Sequence, residues 1–305
     1  MDEIQKRILR EVADLHEVPE GAYNLRVDGK TDGRNSTSNI EITAKEDKSG
    51  IIVRVKPGTK KESVHIPVVL SVSGIRETVY NDFYIGEDAD VVIVAGCGIS
   101  NCGNQDSQHD GIHSFYLEKN AKVKYVEKHY GEGDGEGKRI LNPVTNITLG
   151  ENSCCEMEMV QIAGVDSTIR KSYANLEAGA NLIVHERLLT HGSQMAVSEY
   201  TVNLNGEGAS ANVVSRSVAK ENSTQTFISK IYGNAKSSGH SECDAIIMDN
   251  AKINAIPEVA ANSPDAALIH EAAIGKIAGE QITKLMTLGL TREEAEEQIV
   301  NGFLK

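Results

Sequence analysis

The apolar positions along the chain fall into three regimes. At the N-terminus Ile4, Ile8, Leu9, Val12 and Leu15 recur at helical spacing, and Pro19 and Gly21 end the segment. Asp28 to Asn39, rich in Gly, Asp, Ser and Thr, reads as loop. Ile40–Thr43 and Ile51–Pro57 are dense in β-branched residues and predict two short strands, paired antiparallel.

From about Ser71 the texture changes to short β-like runs punctuated by one recurring corner. An apolar residue is followed by three residues, mostly polar or Gly, and then by a small one. Instances are Ile85-Gly-Glu-Asp-Ala89, Leu117-Glu-Lys-Asn-Ala121, Leu149-Gly-Glu-Asn-Ser153, Leu176-Glu-Ala-Gly-Ala180 and Ile231-Tyr-Gly-Asn-Ala235. Leu204-Asn-Gly-Glu-Gly-Ala209 is one residue longer and Met248-Asp-Asn-Ala251 one shorter. In order, the corners open at Ile85, Leu117, Leu149, Leu176, Leu204, Ile231 and Met248, so the steps between them are nearly equal until the last, which is much shorter. A near-constant period that fails only at the last step marks a stacked repeat, because a rung of short strands cannot bury its apolar face alone. Between corners the chain alternates, as in Glu199-Tyr-Thr-Val-Asn-Leu-Asn205. The pattern predicts a parallel β-helix over residues 71–255. A β-sandwich also has recurring turns, but about every 8–12 residues.

The third regime is helical. Ser263-Pro264-Asp265 predicts a helix start, with Ala266–Leu288 following, bent near Gly275 or Gly279, and Gly289 as its stop. Thr291-Arg-Glu-Glu294 forms a capping box that opens a last helix with Ala295, Ile299 and Phe303 on one face. These helices would cap the open end of the β-helix or present a surface to a partner. The division is an N-terminal helix and small strand region at 1–70, the β-helix core at 71–255 and a C-terminal helical region at 256–305.

Composition supports a folded chain with an ordinary core: 305 residues, 40% hydrophobic and 25% charged. Aromatic residues are only 4%, Trp is absent and Gly numbers 27, which suits short strands and frequent turns. A formal net charge of -13 is a poor footprint for nucleic acid or anionic lipid. No secretory pattern opens the chain and no apolar run reaches membrane-spanning length, so a cytoplasmic location is expected. Five cysteines, an odd number, fit reduced thiols there.

Two segments concentrate reactive side chains. Cys97-Gly-Ile-Ser-Asn-Cys102, with His109 and His113 just downstream, could surround a soft or borderline metal. The bland alternative is a Gly-rich corner with free thiols and surface histidines. Gly239-His240-Ser241-Glu242-Cys243-Asp244 and Ile269-His270-Glu271-Ala272-Ala273 form the second group, and nothing in their spacing joins them. A core cysteine and a solvated His-Glu are the ordinary explanations there. Adjacent Cys154 and Cys155 on a strand would face opposite sides. Gly29-Lys30-Thr31 lacks the first Gly of a phosphate-binding loop, and the run Gly131–Gly137 lacks its Ser or Thr and reads as a flexible acidic loop. No nucleotide hydrolysis is expected.

The pieces of the C-terminal third, Gly239-His-Ser-Glu-Cys-Asp244, Ala255-Ile-Pro-Glu258, Ile269-His-Glu-Ala-Ala273, Gly289-Leu-Thr-Arg-Glu-Glu-Ala295 and Gly302-Phe303, resemble the SufB/SufD family in order and spacing. The resemblance covers roughly residues 70–305, and the N-terminal part is shorter than in larger SufB proteins. It implies a right-handed parallel β-helix with terminal helical regions. It implies a scaffold, without a catalytic centre of its own, that assembles a transient iron–sulfur cluster, usually [4Fe–4S], and passes it on. It implies pairing as a homodimer or with a SufB/SufD-type paralogue, and a SufC-like ABC ATPase bound through the C-terminal helices. A sulfur donor and apo acceptor proteins complete the partners. By the resemblance, Cys243 and Glu271 serve cluster formation and His270 contributes at the subunit interface. A cysteine midway along the β-helix relays sulfur to Cys243, with Cys154 or Cys155 as positional candidates. Cys97, Cys102, His109 and His113 remain possible additional ligands. The residues carry no motif for a flavin, which is associated with some complexes of this kind. A SufD-like partner of the ATPase without its own cluster, and a β-helix enzyme acting on polysaccharides, are the competing expectations. The missing Trp and secretion pattern count against the latter.

Overall fold

The computed structural model describes residues 1–15, 19 and 21–305. Strand makes up 57% and helix 11%, arranged as a parallel β-solenoid of about eight turns with helices at its two ends. The first sheet runs through β2 (Lys30–Asn35), β1 (Ala22–Val27), β5 (Lys60–His65), β8 (Asp90–Ser100), β10 (Lys122–Glu132), β13 (Cys154–Ala163), β15 (Asn181–Thr190), β17 (Ser210–Ala219), β19 (Ser238–Ile247) and β21 (Ala267–Gly275). A short β6 (Val68–Leu70) lies beside β1 and β8. The second sheet runs through β20 (Lys252–Ala261), β18 (Thr224–Gly233), β16 (Met195–Leu204), β14 (Ser167–Leu176), β11 (Arg139–Leu141), β9 (Ser107–Leu117), β7 (Arg76–Ile85), β4 (Gly50–Val55) and β3 (Ile40–Ala44). A short β12 (Val144–Leu149) pairs with β9 and β14.

The corners explain the repeat. Asp88, Asn120, Asn152, Gly179 and Gly208 take left-handed backbone angles, φ 57°, 57°, 56°, 66° and 77°. Asp, Asn and Gly tolerate that region best. Each is followed by a small residue that is fully buried, namely Ala89, Ala121, Ser153, Ala180 or Ala209. The last interval fails because Met248–Ala251 lies at the opposite edge of the solenoid, between β19 and β20. The step from Ile231 to Met248 therefore crosses a single full strand and no complete turn. Apolar side chains from both sheets meet in one continuous core from Ala22 to Cys243.

The antiparallel pair β3–β4 forms as expected, and β4 also joins β7 in parallel, so it belongs to the stack. The stretch from Asp28 to Asn39 is not all loop. Asp28 and Gly29 both have positive φ, 47° and 78°, and turn β1 into the antiparallel β2. Two successive positive-φ residues match the twist of a tight hairpin, which Asp-Gly signals. The C-terminal expectation also needs correction. Ser263–Ala266 is a corner, with the Ala266 N–H donating to the Ser263 carbonyl at 3.1 Å. Ala267–Gly275 is strand β21, and helix α2 begins only at Gly279, running to Thr287. Alternation of Leu268, His270 and Ala272 with outward residues places the segment in the sheet, where pairing to β19 outweighs the Ala-rich composition. Helix α3 (Arg292–Phe303) opens with the expected Thr291 capping box.

The N-terminal helix, Glu3–Ala13, is capped by Asp2 and Gln5 and lies on the outside of the first sheet. Ile8, Leu9 and Val12 are buried beneath it. Its seat is Gly96 and Gly98 of β8: a Cβ on Gly98 would stand 2.0 Å from Ile8 Cγ2, and one on Gly96 2.3 Å from the Val12 carbonyl oxygen. The run Gly131–Gly137 is likewise packed. Cβ atoms on Gly133, Gly135 and Gly137 would meet the carbonyls of Asn101, Gly103 and Gln105 at 2.4, 2.3 and 2.1 Å. Gly at alternate positions lets this loop stack on its neighbour, so the expectation of a flexible loop is replaced by a fitted one. Among the described residues no helix is long and apolar enough to cross a membrane.

Candidate functional site

Strand parity decides which reactive groups meet. On β19, Gly239, Ser241, Cys243 and Ala245 point into the solenoid, while His240, Glu242 and Asp244 point out. Cys243 is fully buried at the last turns, in register with Ser215 on one side and Ala272 on the other. Burial pushes its thiol up to about 12, with Glu186 and Asp244 acting in the same direction. On β21 His270 shares the inner face, and its Nδ1 lies 3.1 Å from the Ser241 hydroxyl. Burial and His240 hold the His270 imidazole below its ordinary value. Glu271 points outward, its Oε1 3.9 Å from His240 Nε2. One chain therefore brings Cys243 and His270 to one face and sends Glu271 to the other. Cys243 and Ala272 are direct neighbours in the first sheet, one solenoid turn apart, and that period is the signal that joins the two motifs.

The Cys97–Cys102 segment divides in the same way. Cys97, His109 and His113 are buried in the interior, whereas Cys102 is exposed on the loop after β8. Burial raises the Cys97 thiol, but the imidazoles of His109 and His129 beside it outweigh that and bring it to about 7. His109 donates from Nδ1 to Glu77 Oε1 at 2.9 Å, and Glu77 is locked by Arg26 Nη2 at 2.6 Å. Burial lowers His109, yet the Cys97 and Glu77 charges hold it at about 10. His109 is thus held in the interior by the Glu77 carboxylate, beside the lowered Cys97 thiol. His113 is the opposite case: its Nδ1 accepts from Asn81 at 3.4 Å, and burial pulls it to about 4.

A polar line continues from Cys97 along the interior of the first sheet. His129, in register with Cys97, bonds Glu127 through Nε2 at 2.8 Å. The Tyr125 hydroxyl donates to Glu127 at 2.6 Å. Arg170 reaches across from β14, donating to Glu127 Oε1 at 2.7 Å, with its Nε 3.7 Å from Glu186 Oε1. Burial opposes the charge on Glu127, and Arg170 and His129 overcome it, keeping the carboxylate ionised well below its usual range. Glu186 accepts from Ser198, Tyr200 and Ser215 at 2.5, 3.1 and 2.7 Å. Ser215 is the register partner of Cys243. Cys97 and Cys243, five strand steps apart or about 24 Å, are thus the two ends of one internal chain of polar groups. Glu77, Glu127, His129, Arg170 and Glu186 are not among the residues that sequence reasoning singles out. Their signal is parity: in Val123-Lys-Tyr-Val-Glu-Lys-His129 the Glu and His fall in step with the buried Val and Tyr.

Cys154 and Cys155 do face opposite sides. Cys155 sits in the apolar core, where burial raises its thiol well above the ordinary value. Cys154 is half-buried on the outer face, 3.8 Å from the Asn181 amide. Among the described residues no three His, Cys, Asp or Glu side chains are gathered in a way that could hold a metal ion.

The fold places the chain among parallel β-solenoid proteins, here with a buried thiol and an imidazole on the inner face of the final turns. The domain described as "SUF system FeS cluster assembly, SufBD core domain" matches residues 81–303, and the chain belongs to that family. It is 28% identical over 266 residues to an iron-sulfur cluster assembly SufBD family protein of Methanothermobacter thermautotrophicus strain Delta H, covering 86% of this chain and 63% of that one. A SufBD family protein of Archaeoglobus fulgidus is 30% identical, with 85% and 69% covered. The iron-sulfur cluster assembly protein SufB of Bacillus subtilis is 25% identical, with 72% and 47% covered. The chain thus spans just under two thirds of the length of the first of these and about half of the last.

Proposed function

We propose that this chain is a scaffold on which an iron–sulfur cluster is assembled at the open end of the solenoid, around Cys243 and His270, and then handed to apo acceptor proteins. The observation that carries the reading is the placement of these two side chains on one inner face of the last two strands of the first sheet, at the end of the charged interior. Thiolate is the preferred ligand for cluster iron, and imidazole can complete a labile position. One chain supplies one such thiol, so a cluster of several irons needs a second copy or a paralogue facing it across a two-fold axis. The terminal turn favours such a partner. Among the described residues strands β20 and β21 are the last of their sheets, each with one unpaired edge, and Ile256, Val259 and Ile269 on them are exposed. Glu271, on the outer face, would reach the cluster only from the facing copy or after rearrangement. Helices α2 and α3 offer a surface for a SufC-like ATPase.

The sulfur relay fits Cys97 better than Cys154 or Cys155. Cys155 sits in the apolar core and Cys154 faces outward, while the Cys97 thiol, lowered to about 7 by His109 and His129, heads the internal polar line. Anaerobic reconstitution with iron and sulfide tests the site. The wild type is expected to develop the visible absorbance of a cluster and Cys243→Ser to lose it, while Cys97→Ser/Cys102→Ser keeps it when sulfide is supplied directly. A cluster retained in Cys243→Ser would place assembly elsewhere.

A further inference from the structure

The outer face of the first sheet carries a furrow of about 670 Å3, lined mainly by outward side chains of β10, β13, β15 and β17 and bordered by Glu186 and Glu242. That volume lies in the range of small-molecule sites. The register builds its lining. Lys128, Val160, Arg187 and Arg216 occupy one transverse row across β10, β13, β15 and β17. Arg187 and Arg216 are direct partners on neighbouring parallel strands, about 4.8 Å apart at the backbone. Like charges placed opposite each other on a sheet repel.

Local carboxylates relieve this only in part. Glu158 Oε2 accepts from Arg187 at 3.1 Å, while its Oε1 is taken by His185 at 3.2 Å. Lys128 is paired with Asp14 at 2.5 Å. Asp244 follows Arg216 in the row, yet among the described residues Arg216 makes no salt bridge. Lys305 closes one side. In a chain of net charge -13 this is a local concentration of cations around an apolar floor of Val126, Val160 and Val214. Two adjacent guanidinium forks match the oxygens of a phosphate in geometry and charge. A solvated basic stripe is the plainer alternative, but it gives no reason for setting two arginines in register over an apolar floor.

We propose that this furrow binds a phosphate-bearing small organic molecule, its phosphates held between Arg187 and Arg216 and its organic part lying over Val126, Val160 and Val214. Isothermal titration of the isolated chain with ADP, with pyrophosphate and with adenosine tests it. ADP should bind more tightly than pyrophosphate, adenosine should not bind detectably, and Arg187→Gln/Arg216→Gln should weaken ADP by about tenfold or more. The circular dichroism spectrum of that double variant should match the wild type, since both side chains lie on the outer face of the sheet. Added salt should weaken ADP in the wild type. Absence of ADP and pyrophosphate binding at millimolar concentration, or ADP binding undiminished in a folded double variant, would overturn the proposal. Pyrophosphate binding as tightly as ADP would overturn the role given to the apolar floor.

Discussion

Individual residues in the interior of this solenoid are charged where a core is normally apolar, and each is tolerated for a stated reason. Glu127 and Glu186 share one ladder with Met159 between them, and Arg170 from the opposite sheet spans both. A buried charge left without its partner costs several kcal/mol, about 3–5 in comparable cases, so the three residues stand together. Among the described residues His113 has no such ion-pair partner, and burial, with smaller opposing effects of Glu127 and of His109, His129 and Arg170, sets its value. Its folded value, about 4, lies below the ordinary 6.5. The unfolded chain therefore takes up this proton first as pH falls. The stabilisation is whole above about 6.5 and is lost between there and 4, to the extent of about 3 kcal/mol. Chemical denaturation of wild type and His113→Gln across that range should show the wild type losing more stability on acidification. A wild-type-to-variant difference that is independent of pH would remove this role from His113.

At the scale of the element, β8 carries two duties on its two faces. Cys97 points inward to His109 and His129, and the glycines on either side of it leave room outside for the first helix. Gly98→Val should therefore lift the helix from its seat, losing packing against Ile8 and Val12 at a cost of about 1–3 kcal/mol. Hydrogen exchange would show it as faster exchange confined to residues 3–13, and unchanged protection there would contradict the seating. Such pairs of faces decide how much is legible in advance. The corner repeat is readable because Asp, Asn or Gly at a left-handed position and a small buried residue after it are local requirements. The convergence of Cys97 with His129, and of Cys243 with His270, depends on which strands become neighbours and on parity within them. The repeat period implies that register only once the strand limits are known. Ala267–Gly275 reads as helix because Ala-rich composition suits one, while the ladder to β19 that makes it a strand is not a local property. The Asp28-Gly29 hairpin is local and readable in principle, and its polar surroundings hide it.

For the whole molecule, the two sheets end on β2 and β3 at one end of the solenoid and on β21 and β20 at the other. The β1–β2 hairpin occupies the start, with the first helix lying on the outer face at β8 and β10, while β20 and β21 present exposed Ile256, Val259 and Ile269 at the finish. Cys243 and His270 lie at that same end, so joining two copies there would shield the apolar edge and bring two thiols towards a shared cluster. Native mass spectrometry of the anaerobically reconstituted protein examines this most directly. If two copies build the cluster at their joined ends, iron and sulfide mass appears on the dimer, is absent from the monomer, and vanishes in Cys243→Ser. A cluster carried by the monomer, or one that persists on the dimer of Cys243→Ser, would contradict assembly at the open end.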